Sequence, residues 1–155
     1  MKGKCDSRHE LIGLVDEVLL LAGRLKSAFA DVRRRVELGE SESMVLNAVV
    51  EADRQPTVSQ IGRSMGQPRQ IVQRAANALV AAGLITTRPN PDHKRAALLA
   101  ASEAGIAMKR RADQHADAIA ATLSAGIDLE AARQTTLALR ALRKQLEAEL
   151  RRGAD

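Results

Sequence analysis

The sequence predicts a mainly α-helical chain with one small β-hairpin, and three observations lead to this prediction. Apolar residues recur every three or four positions over most of the 155 residues, which is the period of an amphipathic helix. The chain has one Phe and no Trp or Tyr, although aromatic residues are typical of strands. Only the stretch after Gly83 changes its period, to a short β-branched segment followed by turn residues.

The charge and the cysteine content narrow the class of protein. The formal net charge of +5 at pH 7 suits a polyanionic partner. The single cysteine, Cys5, excludes an internal disulfide framework. We find no signal peptide and no apolar stretch of the roughly 20 residues that a membrane span needs, so we expect a cytoplasmic protein without a membrane partner.

The first predicted helix runs from His9 to about Val36, because apolar residues follow one another there at three- and four-residue steps. Such a helix would be roughly 40 Å long, which a compact monomer of this size would not easily cover. Gly39 is expected to end it in the left-handed conformation. Ser41 is then predicted to cap a second helix that ends around Asp53.

The next segment predicts a short third helix that ends in a tight turn. Residues 57–60, with the sequence TVSQ, have the spacing of a capping box and would start this helix. It should continue to about Met65 and bury Val58, Ile61 and Met65. Gly66 is expected to break it.

A fourth helix is predicted after this turn, with Gln67 as a possible cap, Pro68 in the first turn and its end at Gly83. One side of this helix is apolar and should pack on neighbouring helices; it consists of Val72, Ala75, Ala76, Leu79 and Val80. We also expect Ala75, Ala76 and Ala78 to let the helix pack closely. The opposite side, near the N-terminus, carries the polar side chains of Arg69, Gln70, Gln73, Arg74 and Asn77.

The remainder of the chain predicts a hairpin and two more helices. Residues 84–88 and 95–99 are short apolar segments that flank the basic, turn-like sequence PNPDHK at residues 89–94. The chain is then expected to be helical over residues 102–124 and again over residues 128–151, the last helix having a leucine stripe.

A short helix, a tight turn, a second helix and a basic hairpin together predict a winged helix-turn-helix. Recognition helices present their N-terminal half to the major groove, where Arg pairs with guanine and Gln or Asn pairs with adenine. A merely solvated polar face is the alternative, but the capped helix, the Gly66 turn and the basic hairpin in one order favour DNA binding. The predicted DNA-binding residues are Arg69, Gln70, Gln73, Arg74, Asn77, Arg88, His93, Lys94 and Arg95.

With these motifs the sequence resembles the MarR (multiple antibiotic resistance regulator) family of bacterial transcription factors. The resemblance covers nearly the whole chain and depends mainly on residues 41–105, where Arg74, Gly83, Arg95 and Gly105 match the family's pattern. By this resemblance Arg95 would be the arginine at the tip of the wing that enters the minor groove. Two positions depart from the pattern: His93 replaces the wing aspartate, with Asp92 one residue early, and Gly62 replaces an alanine.

The resemblance implies a homodimer formed by the long N- and C-terminal helices. The predicted organisation is therefore a dimerisation helix over residues 1–40, a DNA-binding lobe over residues 41–100 and dimerisation helices over residues 101–155. Such a dimer would bind a double-stranded, pseudo-palindromic operator with half-sites about 10 base pairs apart. The resemblance also implies a repressor that a small-molecule effector releases from DNA, although nothing in the sequence identifies an effector.

Two other hypotheses stay open at the level of sequence. The chain could be a winged-helix protein-interaction module in which DNA binding is weak or lost, since His93 departs from the wing pattern. It could also be a regulator that senses oxidants through Cys5. An enzyme is not predicted, because the chain lacks a nucleophile–base set, a Gly-rich phosphate loop and a cluster with metal-ligand spacing. For the same reason no cofactor or metal is expected.

Overall fold

The structure of the chain, a computed structural model, describes residues 9–153 apart from the side chain of Arg33. This part of the chain contains helices and one two-stranded antiparallel sheet, which confirms the predicted mainly α-helical class with a small hairpin. In chain order the elements are α1 (Glu10–Ala28), α2 (Ala30–Val36), α3 (Glu40–Val50), α4 (Val58–Met65), α5 (Arg69–Ala81), β1 (Ile85–Arg88), β2 (Leu98–Ala101), α6 (Glu103–Ser124) and α7 (Leu129–Arg152).

The chain divides into two compact units, Met1–Ala116 and Asp117–Asp155. The hydrophobic core lies in the first unit, where α3, α4 and α5 pack with the hairpin. Its largest fully buried side chains are Val45, Leu46, Ile61, Val72, Leu79 and Ile85. Burying each such side chain contributes about 1.5–3 kcal/mol, so this cluster fixes how the three helices and the hairpin sit. The three-part organisation expected from sequence stays a prediction.

The N-terminal helix predicted from His9 to Val36 is interrupted at Phe29, so it forms two helices, α1 and α2. The carbonyl of Phe29 accepts a hydrogen bond from the amide of Val32, three residues on, which marks a tight turn. After this turn Val36, at the end of α2, is buried. Periodicity alone did not predict the break, because apolar positions continue at helical spacing on both sides of it.

The predicted roles of Gly39 and Ser41 are wrong. Gly39 has an extended conformation with φ −65° and caps α3, where the Glu42 carboxylate accepts its amide hydrogen bond. The left-handed residue after α2 is Glu37, with φ 55°. Glu42 lies three residues after Gly39, so it can satisfy the amide at the N-cap, and the helix therefore starts earlier than predicted. Helix α3 also ends at Val50, before the predicted end near Asp53.

The helices α1 and α7 expose their apolar residues. Of the 19 residues of α1, all described, none is buried, although Leu11, Val15 and Leu19 are among them. The same holds for the 24 described residues of α7, where Leu146 and Leu150 are 58% and 67% exposed. Asp128 caps α7 as predicted, since its carboxylate accepts hydrogen bonds from two following amides at 3.0 Å. Within residues 9–153, no helix combines the length and apolar character needed to cross a membrane.

Candidate nucleic-acid interface

The first helix of the predicted helix-turn-helix starts at the expected capping box. The amide of Gln60 donates to Thr57 Oγ1 at 3.2 Å, and the amide of Thr57 donates to Gln60 Oε1 at 2.8 Å. Val58 and Ile61 are buried, as predicted, whereas Met65 is only partly buried and packs against the core. The N-terminus of α4 is thereby fixed, and its outward-facing residues are held in place.

The turn between α4 and α5 is built on two glycines. Gly66 ends α4, as predicted, and has the left-handed conformation with φ 62°. The amide of Gln67 donates to the carbonyl of Gly62 at 2.9 Å. A Cβ atom at Gly62 would lie 2.9 Å from the carbonyl oxygen of Gln67. Gly62, a departure from the family pattern, therefore fits a turn that folds back closely on α4.

The N-cap of helix α5 lies one residue later than predicted. Pro68 precedes the helix as its N-cap, Arg69 is its first residue, and Gln67 is not the cap. The amides of the first turn of a helix have no carbonyl within that helix to bond, and they attract phosphate oxygens. The start of α5 is thus suited to an anion.

One face of α5 is buried, as predicted, through Val72, Ala75, Ala76 and Leu79. Val80 and Ala78 are not part of this face: Val80 is 40% exposed and Ala78 is also exposed. Successive residues of a helix are about 100° apart around its axis. Val80 and Ala78 therefore lie about 100° to either side of the buried Leu79, at the two edges of the buried stripe.

The polar face of α5 is fully available to a partner. All five predicted readers on this helix are exposed: Arg69, Gln70, Gln73, Arg74 and Asn77. The Gln73 Nε2 group donates to Asn77 Oδ1 at 3.0 Å, since the two residues are one turn apart. This bond aligns two amide groups in a row along the exposed face.

The hairpin forms the predicted wing, but its second strand is Leu98–Ala101 and not residues 95–99, so Arg95 lies in the loop. Strands β1 and β2 pair in antiparallel register from Ile85 opposite Ala101 to Arg88 opposite Leu98. Asn90 orders the loop between them: its Nδ2 group donates to the carbonyl of Ala96 at 2.9 Å. Its Oδ1 atom also accepts from the amide of Asp92 at 3.0 Å. The basic side chains predicted on this hairpin are all exposed, namely Arg88, His93, Lys94 and Arg95.

The carboxylate of Asp92 does not replace the missing wing aspartate in this structure. Within residues 9–153, Asp92 and Arg95 form no hydrogen bond or ion pair with each other. Asp92 instead uses its backbone amide to bond Asn90. The loop conformation is set by Asn90, so the side chain of Arg95 extends from an ordered loop without a carboxylate that holds it.

The wing and the helix-turn-helix enclose an open basic cleft of about 1000 Å³. Arg69 from the start of α5 lies on one wall, and His93 and Arg95 from the wing lie on the other. The structure thereby brings three of the predicted residues together, whereas the other six do not line this cleft. Two further arginines, Arg54 and Arg63, complete it.

Sequence reasoning missed Arg54 and Arg63. The signal for Arg63 was present: Val58, Ile61 and Gly62 are buried, so the period of α4 turns Ser59, Gln60 and Arg63 outward. Arg54 lies in the connection between α3 and α4, where no periodicity indicates a direction. Asp92 is the only acidic residue among those that line the described cleft. The net charge of the cleft is therefore strongly positive.

Comparison with known proteins gives a family match, a relative of similar length and solved structures of similar fold. The MarR family model matches residues 38–96, which contain every residue that lines the basic cleft except Leu98. The uncharacterized protein Rv2011c of Mycobacterium tuberculosis is 35% identical over 140 residues, or 90% of this chain and 96% of that protein. A MarR family transcription regulator of known structure is 26% identical, with a TM-score of 0.70 and coverage of 91% of this chain and 97% of that one. A MarR family transcriptional regulator from Rhodococcus sp. RHA1 is 19% identical, with a TM-score of 0.76 and coverage of 88% and 96%.

Proposed function

The chain belongs to the MarR family of transcriptional regulators, and on this premise we propose that it represses transcription by binding a pseudo-palindromic DNA operator as a homodimer. The observation that carries the proposal is the basic cleft, on which Arg69 of the recognition helix and Arg95 of the wing converge. Arginines on two walls of one concavity suit the phosphates of a DNA backbone between two grooves.

In this proposal α5 enters the major groove. Arg69, Gln73 and Asn77 lie on its exposed face, and these side-chain types form bidentate pairs with guanine or adenine edges. The bond from Gln73 Nε2 to Asn77 Oδ1 leaves Gln73 Oε1 and the Asn77 amino group for a base. Gln70 and Arg74 lie on the same exposed face and would contact bases or the adjoining phosphates.

The wing contributes a second set of contacts. Arg95 would enter the minor groove beside the site, whereas Arg88, His93 and Lys94, which are exposed on the hairpin, would bind phosphates. Arg54 and Arg63 join this phosphate-binding set because they line the same cleft as Arg69 and Arg95.

The exposed apolar helices support a homodimer. Members of the family bind DNA as dimers and bind small-molecule effectors. In this chain α1 and α7 expose leucines that a second copy would cover. Two-fold symmetry would then place two recognition helices on half-sites about 10 base pairs apart.

An effector would bind in the first unit, in a cavity of about 380 Å³ lined by the end of α1, α2, α3 and α6. This volume lies within the range of small-molecule sites, about 300–1,000 Å³. The cavity touches both α3, which belongs to the core of the DNA-binding lobe, and α6, which leads out of it. A ligand there could therefore change the position of the recognition helix.

The proposal is tested by selecting bound fragments from the source genome and titrating the best fragment with salt. The logarithm of the affinity should fall with the logarithm of the salt concentration, by about 0.9 per phosphate contact. Arg63→Ala should reduce this slope by about one contact, whereas Arg140→Ala, an exposed arginine of α7, should leave it unchanged.

A flat salt dependence, or selection of fragments without a common motif, would overturn DNA recognition and favour the protein-interaction module. The Cys5 hypothesis is separate, because Cys5 lies outside the described residues. If Cys5 senses oxidants, Cys5→Ser should abolish any effect of peroxide on operator binding.

A further inference from the structure

The cavity in the first unit is lined mainly by apolar side chains, together with charged residues and two neutral polar residues one helical turn apart on α3. Phe29, the only aromatic residue in the chain, lies on its wall with Val32 and Val36 of the α2 region. Met44 and Leu46 of α3 and Met108 of α6 complete the apolar lining. Most of a ligand in this cavity would therefore contact hydrocarbon and thioether groups.

Two neutral polar residues of α3 face the same cavity. Ser43 and Asn47 both line it, and they are four residues apart, one above the other on the helix. The Ser43 Oγ atom is buried and has no hydrogen-bond partner in the part of the chain that the structure describes. A buried hydroxyl without a hydrogen-bond partner lowers the stability of the fold. A ligand group that forms a hydrogen bond with Ser43 Oγ would remove this cost.

The two lysines among the described residues that line the cavity, Lys26 and Lys109, already have carboxylate partners. Lys26 Nζ is 2.5 Å from a carboxylate oxygen of Glu40. Lys109 Nζ is 2.6 Å from Asp113 and 2.9 Å from Glu51. In the part of the chain that the structure describes, both lysines that line the cavity are therefore paired with carboxylates. An anionic ligand would have to displace one of these carboxylates and would be repelled by the others.

We propose that the cavity binds an uncharged amphipathic molecule, with a small aromatic or aliphatic body against Phe29 and the methionines and one hydroxyl or amide group bonded to Ser43 and Asn47. A charged group would lose its hydration in this apolar cavity without gaining an unpaired counter-charge. A neutral polar group loses less and satisfies the Ser43 hydroxyl. The regulatory consequence, release of DNA, rests on the proposed function; the ligand class does not.

The test uses two probes of the same shape, neutral 4-propylbenzamide and anionic 4-propylbenzoate. Each is titrated at pH 7.5 into the full-length, ¹⁵N-labelled protein, and the dissociation constant is taken from amide chemical shifts. We expect 4-propylbenzamide to bind at least tenfold more tightly and to shift the amides around residues 43 and 47. Ser43→Ala should weaken it about five- to tenfold, the loss of one hydrogen bond.

Ser41→Ala is the matched control, because Ser41 is on the same helix but does not line the cavity. It should leave the affinity for 4-propylbenzamide unchanged. Ser43→Ala should melt no lower than wild type, since it removes a buried hydroxyl without a partner, and this excludes misfolding as the cause of weaker binding.

Tighter binding of 4-propylbenzoate, or equal binding of 4-propylbenzamide to wild type and Ser43→Ala, overturns the ligand class. No binding of 4-propylbenzamide at millimolar concentration also overturns it, and this is the outcome expected if a second copy of the chain fills the cavity. Operator binding is measured in the same samples without probe. Its absence would overturn the proposed function alone, so the two failures are distinguishable.

Discussion

Gly105 shows how a single backbone position fixes the start of α6 against the DNA-binding lobe. A Cβ atom there would lie 2.0 Å from the carbonyl oxygen of Leu84 and 3.3 Å from Leu46 Cδ1. The Ser102 hydroxyl strengthens the same junction, because it donates to the carbonyl of Gly83 at 2.7 Å and accepts from the amide of Gly105 at 3.0 Å. The close approach of the two backbones therefore requires glycine.

We expect Gly105→Ala to destabilise the protein by about 2–4 kcal/mol, because the clash is with backbone and cannot be relieved by a side-chain movement. The free energy of unfolding is measured by urea denaturation. Gly126→Ala is the control: its Cβ would meet nothing within 4 Å, so the change should stay below about 0.5 kcal/mol. Equal effects of the two substitutions would contradict the packing argument.

The exposed residues of α5 and those of the wing should differ in what they recognise. Arg69→Ala and Gln73→Ala should each alter base preference by roughly 1–3 kcal/mol, because they lose contacts to base edges. Arg95→Ala should weaken binding to most operator variants by about the same factor, without changing the base preference. Fluorescence anisotropy with a set of single-base operator variants measures both effects. If all three substitutions weaken every sequence equally, α5 does not recognise bases.

Lys109 joins two elements, since it lies on α6 and contacts Glu51 at the end of α3. Burial alone would lower the pKa of Lys109, but its hydrogen bonds and charge interactions with Asp113 and Glu51 raise the pKa above the ordinary 10.5. The stabilisation by this ammonium group is therefore complete below pH 10.5. It is lost as the pH rises through the higher pKa of the folded state.

The difference in unfolding free energy between wild type and Lys109→Met should thus be constant from pH 7 to 9 and should move against wild type above pH 10.5. Its size should be about 1 kcal/mol, because both carboxylates are more than half exposed. The chain has no tyrosine whose ionisation would obscure the effect. Lys144→Met, at an exposed lysine of α7, serves as control. A change that begins near neutral pH would contradict this assignment.

The elements that could be predicted are those whose signals are local. The capping box at Thr57, the helix end at Gly66 and the cap at Asp128 each depend on residues within one turn, and the structure confirms them. The break at Phe29 could not be predicted, since apolar residues continue at helical spacing across it; only the structure shows that Val36, the last residue of α2, is buried. That burial depends on residues distant in sequence.

The candidate site divides in the same way. The face of α5 followed from helical period, because its buried stripe determines which side chains point outward. The basic cleft could not be predicted in this way, because Arg54 and Arg63 come to lie beside the wing only when the chain is folded. The contacts with DNA stay a prediction, because they depend on a partner that the packing of this chain does not specify.

For the molecule as a whole, the question is what covers its exposed apolar helices. On α7 the stripe of Leu142, Leu146 and Leu150 repeats every four residues and is exposed throughout. An exposed apolar stripe of this kind indicates an interface. We expect sedimentation at micromolar concentration to give a dimer, with Leu146→Glu shifting it towards monomer.

The size of this shift follows from burial. A dimer that covers Leu146 on both copies loses two buried leucines, about 1.5–3 kcal/mol each, so dimerisation should weaken at least a hundredfold. Operator affinity should fall with it, because only a dimer occupies both half-sites. Lys144→Glu is the matched control, since it places a glutamate on the same helix about 200° away from Leu146, on the side opposite the leucine stripe. A stable wild-type monomer that binds the operator as tightly as expected of a dimer would contradict both the interface and the two-fold operator.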